Sequence, residues 1–141
     1  MKNGLLLLFL IFSVCSSSQE LSCRDFKNGI FYVAADEIVP FGYKIIREGN
    51  TQIEIVQDPK NKLGEDFTKT SYELIEWIDD CHYRLKYDES KMILSEYQKF
   101  LNDNNGILTE LIKIEGKCFY YKSTLEVDGH IQRIDGKMCQ E

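Results

Sequence analysis

Tyr43-Lys44-Ile45-Ile46-Arg47-Glu48-Gly49-Asn50-Thr51-Gln52-Ile53-Glu54-Ile55-Val56 is the stretch that decides the fold. β-Branched and aromatic residues fill both halves, and Gly49-Asn50 divides them. Glycine and asparagine tolerate the positive φ that a two-residue hairpin turn demands. Such a turn sets Ile46 opposite Ile53, and Ile55 extends the same face, so that face is expected to be the apolar one. Arg47 and Glu54 then fall diagonally near each other on the opposite face. An exposed ion pair there would add little.

The same rhythm continues on either side. Strands are predicted at about Gly29–Ala34, Tyr43–Arg47, Thr51–Val56, Thr70–Trp77, His82–Tyr87, Thr109–Ile114, Phe119–Glu126 and Ile131–Ile134, separated by Gly, Asn and Asp. Asp79-Asp80 and Glu115-Gly116 read as tight joints. At the last joint a two-residue turn would pair Glu126 with Ile131 and mix the faces. A three-residue loop, Val127-Asp128-Gly129, pairs Leu125 with Ile131 and is the preferred expectation. One segment has helical periodicity instead: Ile93, Tyr97, Phe100 and Leu101 share a face. It predicts a helix over about Lys91–Asn102, capped by Ser90 and stopped by Asn104-Asn105-Gly106, packed on the sheet or across a barrel mouth. The expected fold class is therefore mainly β: an antiparallel up-and-down meander of about eight strands, curled into a barrel or half-barrel of lipocalin-like shape, with one amphipathic helix.

The N-terminus has a different character. Lys2 precedes the run Leu5–Val14, and Cys15-Ser16-Ser17-Ser18 follows, which is the three-part order of a secretory signal. As a helix this run reaches only half of a ~30 Å hydrocarbon core, too short for a stable anchor. Residues 1–18 are read as a signal peptide and residues 19–141 as one β-rich domain, secreted or periplasmic. A lipoprotein anchored through Cys15 is the minority alternative, because Val14 stands where a small residue normally precedes an acylated cysteine. Loss of Lys2 makes a chain of formal charge −6 one unit more negative. A surface of that sign repels phosphate backbones, so nucleic acid is excluded as a partner.

Cys23, Cys81, Cys118 and Cys139 remain after cleavage, an even number suited to two disulfides in an oxidising compartment. None has Cys-x-x-Cys spacing, which argues against a metal site. Strand parity places all four at one end of a meander. If the first and last strands close a barrel, Cys23 meets Cys139, leaving Cys81 for Cys118. Of three connectivities this is the favoured one.

Catalytic chemistry has little to stand on. Cys81 and His82 adjoin, but neighbouring strand residues point to opposite faces. His82 and His130 read as exposed. Asp79-Asp80, Glu65-Asp66, Asp88-Glu89, Glu73 and Glu76 read as solvated acids, with no calcium-loop spacing and no phosphate-cradling glycine loop. No catalytic residue, metal or cofactor is assigned. Aromatic residues stand out: Phe31, Tyr32, Phe41, Tyr43, Trp77, Tyr83, Tyr87, Phe119, Tyr120 and Tyr121 lie in or beside predicted strands. They are expected to fill the core and brace the sheet; on the functional reading some line a cavity, with Trp77, Tyr83 and Tyr120 as the candidate ligand contacts.

At Cys23–Phe31, Arg47–Glu54 and Trp77–Leu85 the chain resembles a group of small exported proteins of Bacteroidetes bacteria. The resemblance implies export and supplies no catalytic residues. Such proteins sometimes carry the label DNA topoisomerase IV, which a short, acidic, exported chain without a nucleotide loop does not support. The expected function is a non-enzymatic binding protein that holds a small apolar or aromatic ligand inside a barrel. The alternative is a structural or protein-interaction component of the cell envelope with a filled core.

Overall fold

The computed structural model describes residues 20–37, 40–64 and 69–141. The expected signal segment, Cys15 and the Glu65-Asp66 pair lie outside the described residues. Eight strands follow one another around a closed antiparallel barrel. They are β1 (Gly29–Val33), β2 (Gly42–Glu48), β3 (Thr51–Gln57), β4 (Thr70–Trp77), β5 (His82–Tyr87), β6 (Ile107–Glu115), β7 (Cys118–Val127) and β8 (His130–Gln140), with one helix, α1 (Glu96–Asp103), between β5 and β6. Tyr32 pairs with Cys139, and that contact between β1 and β8 closes the wall. A closed wall has no free edge on which another strand could template.

The turns set the registers. Ile46 pairs with Ile53 and Glu48 with Thr51 across Gly49-Asn50, as the sequence predicts. At the last joint the expectation fails: Val127 pairs with His130 and Glu126 with Ile131. Asp128 (φ 50°) and Gly129 (φ 77°) both adopt positive φ, giving the two-residue turn whose twist matches the flanking strands. Turn geometry outranks the tidy separation of faces, and Ile131 is left exposed on the outside.

One end of the barrel is sealed. A short 3-10 turn, Cys23–Phe26, crosses it and drives Phe26 into the interior. Phe26, Phe31, Phe119 and Met138 are almost wholly buried there, with Phe26 and Phe119 edge to face at 4.0 Å between ring centres. Each such side chain contributes roughly 1.5–3 kcal/mol by leaving water. Ile45, Ile75 and Leu111 complete the plug.

All four cysteines sit at this sealed end, but the favoured pairing is wrong. The bonds are Cys23–Cys81 and Cys118–Cys139. Cys118 stands directly opposite Cys139 on neighbouring strands, so that pair needs no loop reach. The turn bearing Cys23 crosses the barrel end towards the β4–β5 joint. There Asp80 receives Arg24 Nε at 2.6 Å and Lys27 Nζ at 2.7 Å, bringing Cys23 to Cys81.

The helix spans the other end, shorter than expected. Ser95, not Ser90, caps it: its hydroxyl accepts from Gln98 N, and the Gln98 side chain returns to Ser95 N at 2.9 Å. Ser90 is taken instead by Asp88, to which its hydroxyl donates at 2.6 Å. Ile93 consequently falls before the helix and is 97% exposed, whereas Leu101 is buried. Asn102 clamps α1 to β5, accepting from Tyr87 N and donating to Tyr87 O at 2.8 and 2.9 Å. The chain leaves the helix through Gly106 (φ 72°), which lies so close to Leu85 O that a Cβ would collide with it.

Candidate functional site

Between the plug and α1 lies a cavity of about 380 Å³. Its walls follow from strand alternation. β2 points Tyr43, Ile45 and Arg47 inward, β3 Gln52 and Glu54, β4 Ser71 and Glu73, β5 Tyr83, Leu85 and Tyr87, and β7 Tyr121 and Ser123. Apart from Tyr43 and Ser71, these residues line the cavity, and Tyr97 and Leu101 of α1 roof it. A second hollow of about 870 Å³ under the segment leading into α1 shares Glu54, Tyr87 and Tyr97 with the first, and Tyr43 and Ser71 line it. Glu54 stands where the two meet.

The β2–β3 hairpin therefore has the opposite sidedness from that expected. Arg47 is 3% exposed and Glu73 2% exposed, while Ile46, Ile53 and Ile55 occupy the outward-pointing positions. Burial of these charged groups works because they satisfy one another. Arg47 Nε donates to Gln52 Oε1 at 2.7 Å, Nη1 to Phe26 O at 3.0 Å and Nη2 to the Tyr83 hydroxyl at 2.5 Å. Gln52 Nε2 then donates to Glu73 Oε2 at 2.6 Å, and Ser71 Oγ to Glu73 Oε1 at 2.8 Å. Among the described residues no buried side-chain nitrogen or oxygen lacks a partner. The guanidinium also lies over the Tyr83 ring at 4.6 Å.

Two carboxyls and one guanidinium share this interior. Burial pushes the Glu54 carboxyl up to about 8, with the Glu73 charge adding to the effect and Arg47 opposing it. Burial raises Glu73 as well, offset by the hydrogen bonds from Ser71 and Gln52 and by Arg47. Burial also raises the phenols of Tyr87 and Tyr121, the latter to about 12. The tyrosines stay neutral across the physiological range, and Glu54 is largely protonated at neutral pH.

Of the three expected ligand contacts, only Tyr83 lines the cavity. Trp77 points inward but lies towards the sealed end, 5.0 Å from Tyr83 between ring centres, its Nε1 donating to Gly49 O at 3.0 Å. It buttresses Tyr83 from below. Tyr120 is on the outer surface, its ring beneath Lys113 and Lys137. Sequence reasoning missed Arg47, Gln52, Glu54 and Glu73, together with Tyr97. Glu73 was expected in solvent; it shares its face of β4 with Ile75 and Trp77, and that shared parity was the available signal. Of the other acids, Asp88 is buried and receives Ser90, whereas Asp79 is exposed and contacts His82 Nδ1 at 2.8 Å.

No helix among the described residues is long and apolar enough to cross a membrane, and no metal-binding cluster occurs among them. No family model, curated protein or solved structure matches this chain.

Proposed function

We propose that the protein is an exported carrier that holds one compact small molecule inside its barrel. The observation that supports this reading is the cavity of about 380 Å³ above a sealed floor, within the ~300–1,000 Å³ range of ligand pockets. A barrel serving only as a structural or interaction module has no need of an unfilled interior, since packing it would add stability. The ligand envisaged has an apolar or aromatic body for the tyrosine and leucine walls and a polar group for the floor. A non-enzymatic role fits the arrangement of the acids. Glu54 lies diagonal to Glu73 on adjacent strands of one wall, because Gln52 pairs with Glu73 and Glu54 with Ser71. Two acids working on a substrate flank it from opposite sides instead. Two disulfides agree with an extracytoplasmic location, secreted or periplasmic.

Native mass spectrometry of the protein purified from its own host tests the proposal. The expected spectrum contains a species heavier than the polypeptide by one small molecule, lost on collisional activation. Bare polypeptide alone, from several growth conditions, would contradict it.

A further inference from the structure

We propose that the cavity selects a protonated amine carried on a compact aromatic or apolar body, with the ammonium group seated against Glu54. This rests on the carrier reading and sharpens it to a ligand class.

The hydrogen-bond inventory makes the choice between an anion and a cation. Arg47 is the inward cation, yet each of its three nitrogens already donates, to Gln52, Phe26 and Tyr83. Three of its five N–H groups are thereby engaged, and with the single Nε proton on Gln52 the side-on edge is closed to bidentate capture of a carboxylate or phosphate. Lys69 lines the adjoining hollow, but its ammonium donates to Asn61 at 2.8 Å. Arg133, at the cavity rim, is held by Asp135 at 2.8 Å. Glu73 accepts from both Gln52 and Ser71. Glu54, by contrast, is half-buried and open to both hollows, and it accepts no hydrogen bond from any described residue. Tyr43 on β2, Tyr87 on β5, Tyr97 on α1 and Tyr121 on β7 line the same two hollows, and tyrosine rings attract an organic cation. A carboxyl group that receives no hydrogen bond from the described residues, set among tyrosines, is complementary to an ammonium group and ill suited to a second anion.

The groups facing Glu54 give the selection a pH signature. Burial and Glu73 keep its proton on at neutral pH against the pull of Arg47, so an arriving ammonium must displace that proton. Amine affinity therefore rises towards tenfold per pH unit from about pH 6 and levels off above about pH 8.

Calorimetry with three probes sharing one ring and differing in the head group tests this: phenethylamine, 2-phenylethanol and phenylacetate. At about pH 8 phenethylamine is expected to bind at least about tenfold more tightly than the alcohol. Its binding near pH 7 should release a proton, visible as a dependence of the heat on the buffer. Glu54→Gln is expected to bring amine and alcohol to similar affinity and to abolish the proton release. Equal or tighter binding of phenylacetate or 2-phenylethanol would overturn the amine assignment and leave the carrier standing. Failure of all three to bind at millimolar concentration would also overturn it, and the carrier falls too only if native spectra show bare polypeptide.

Discussion

Replacing Arg47 with methionine keeps most of the side-chain volume and removes three buried donors at once. Gln52 Oε1, the Phe26 carbonyl and the Tyr83 hydroxyl each lose the nitrogen now 2.5–3.0 Å away. A buried acceptor without a partner costs about 1–3 kcal/mol. Loss of the cation also leaves Glu73 and Glu54 without the positive charge that Arg47 sets against them. Breaking a buried charge network in this way costs about 3–5 kcal/mol. Water entering the adjoining cavity relieves part of the three-acceptor sum, so the expected net loss is about 4 kcal/mol. With a urea m-value of about 2 kcal/mol/M the unfolding midpoint should fall by about 2 M, disulfides intact. Lys44→Met, three residues away on the same strand and facing outward, should cost under ~0.5 kcal/mol. Adding Glu73→Gln to Arg47→Met should restore part of the stability, because it removes a carboxylate that has lost its cation. A loss below about 1 kcal/mol for Arg47→Met, matching the Lys44 control, would mean that the guanidinium is solvated and that no buried network depends on it.

Other consequences of the structure can be checked in the same assays. Glu54 titrates higher in the folded chain than unfolded, so the folded state holds the extra proton; stability contributed by that protonated carboxyl is lost as pH rises from about 5 to 8, and Glu54→Gln should flatten this part of the pH–stability curve. Gly136→Ala places a methyl group into the Tyr121 ring that lies across the strand; about 1–3 kcal/mol of destabilisation, with an altered near-ultraviolet dichroism from the shifted tyrosine, is expected on urea titration. Removing Cys118–Cys139 by double serine substitution should cost about 3 kcal/mol and removing Cys23–Cys81 about 4, following loops of 21 and 58 residues; non-reduced peptide mapping should recover these pairs and not Cys23 with Cys139.

The barrel itself was legible because its information is local. Thr70–Trp77 and His82–Tyr87 match the predicted strands at both ends, and Gly49-Asn50 alone set the β2–β3 register. Local signals could not say which side of that hairpin faces inward. Ile46, Ile53 and Ile55 make the more apolar face, but in a small barrel the inside need not be uniformly apolar if its polar groups saturate one another. Arg47 finds Gln52 across one strand pair, and Gln52 finds Glu73 across the next, which is knowledge of three strands at once. The same limit explains the disulfides: parity put all four cysteines at one end, while their partners depended on how the turn at Cys23–Phe26 crosses that end. The helix start was misjudged because two serines each had a capping option, and Asp88 took Ser90 out of contention. The candidate ligand contacts suffered similarly, since aromatic content identifies a cavity wall only once the inward parity of each strand is known.

Ligand binding in the barrel depends on Glu54 and Glu73 facing an interior shielded from bulk water beside Arg47. Side-chain carboxyl carbon resonances followed by NMR from pH 3 to 10, assigned with Glu54→Gln, measure this directly. The Glu54 signal is predicted to titrate with a midpoint near 8 and Glu73 above the ordinary glutamate range. Midpoints for both near the ordinary ~4.3 would place the two carboxylates in water and contradict the polar interior on which the binding site depends.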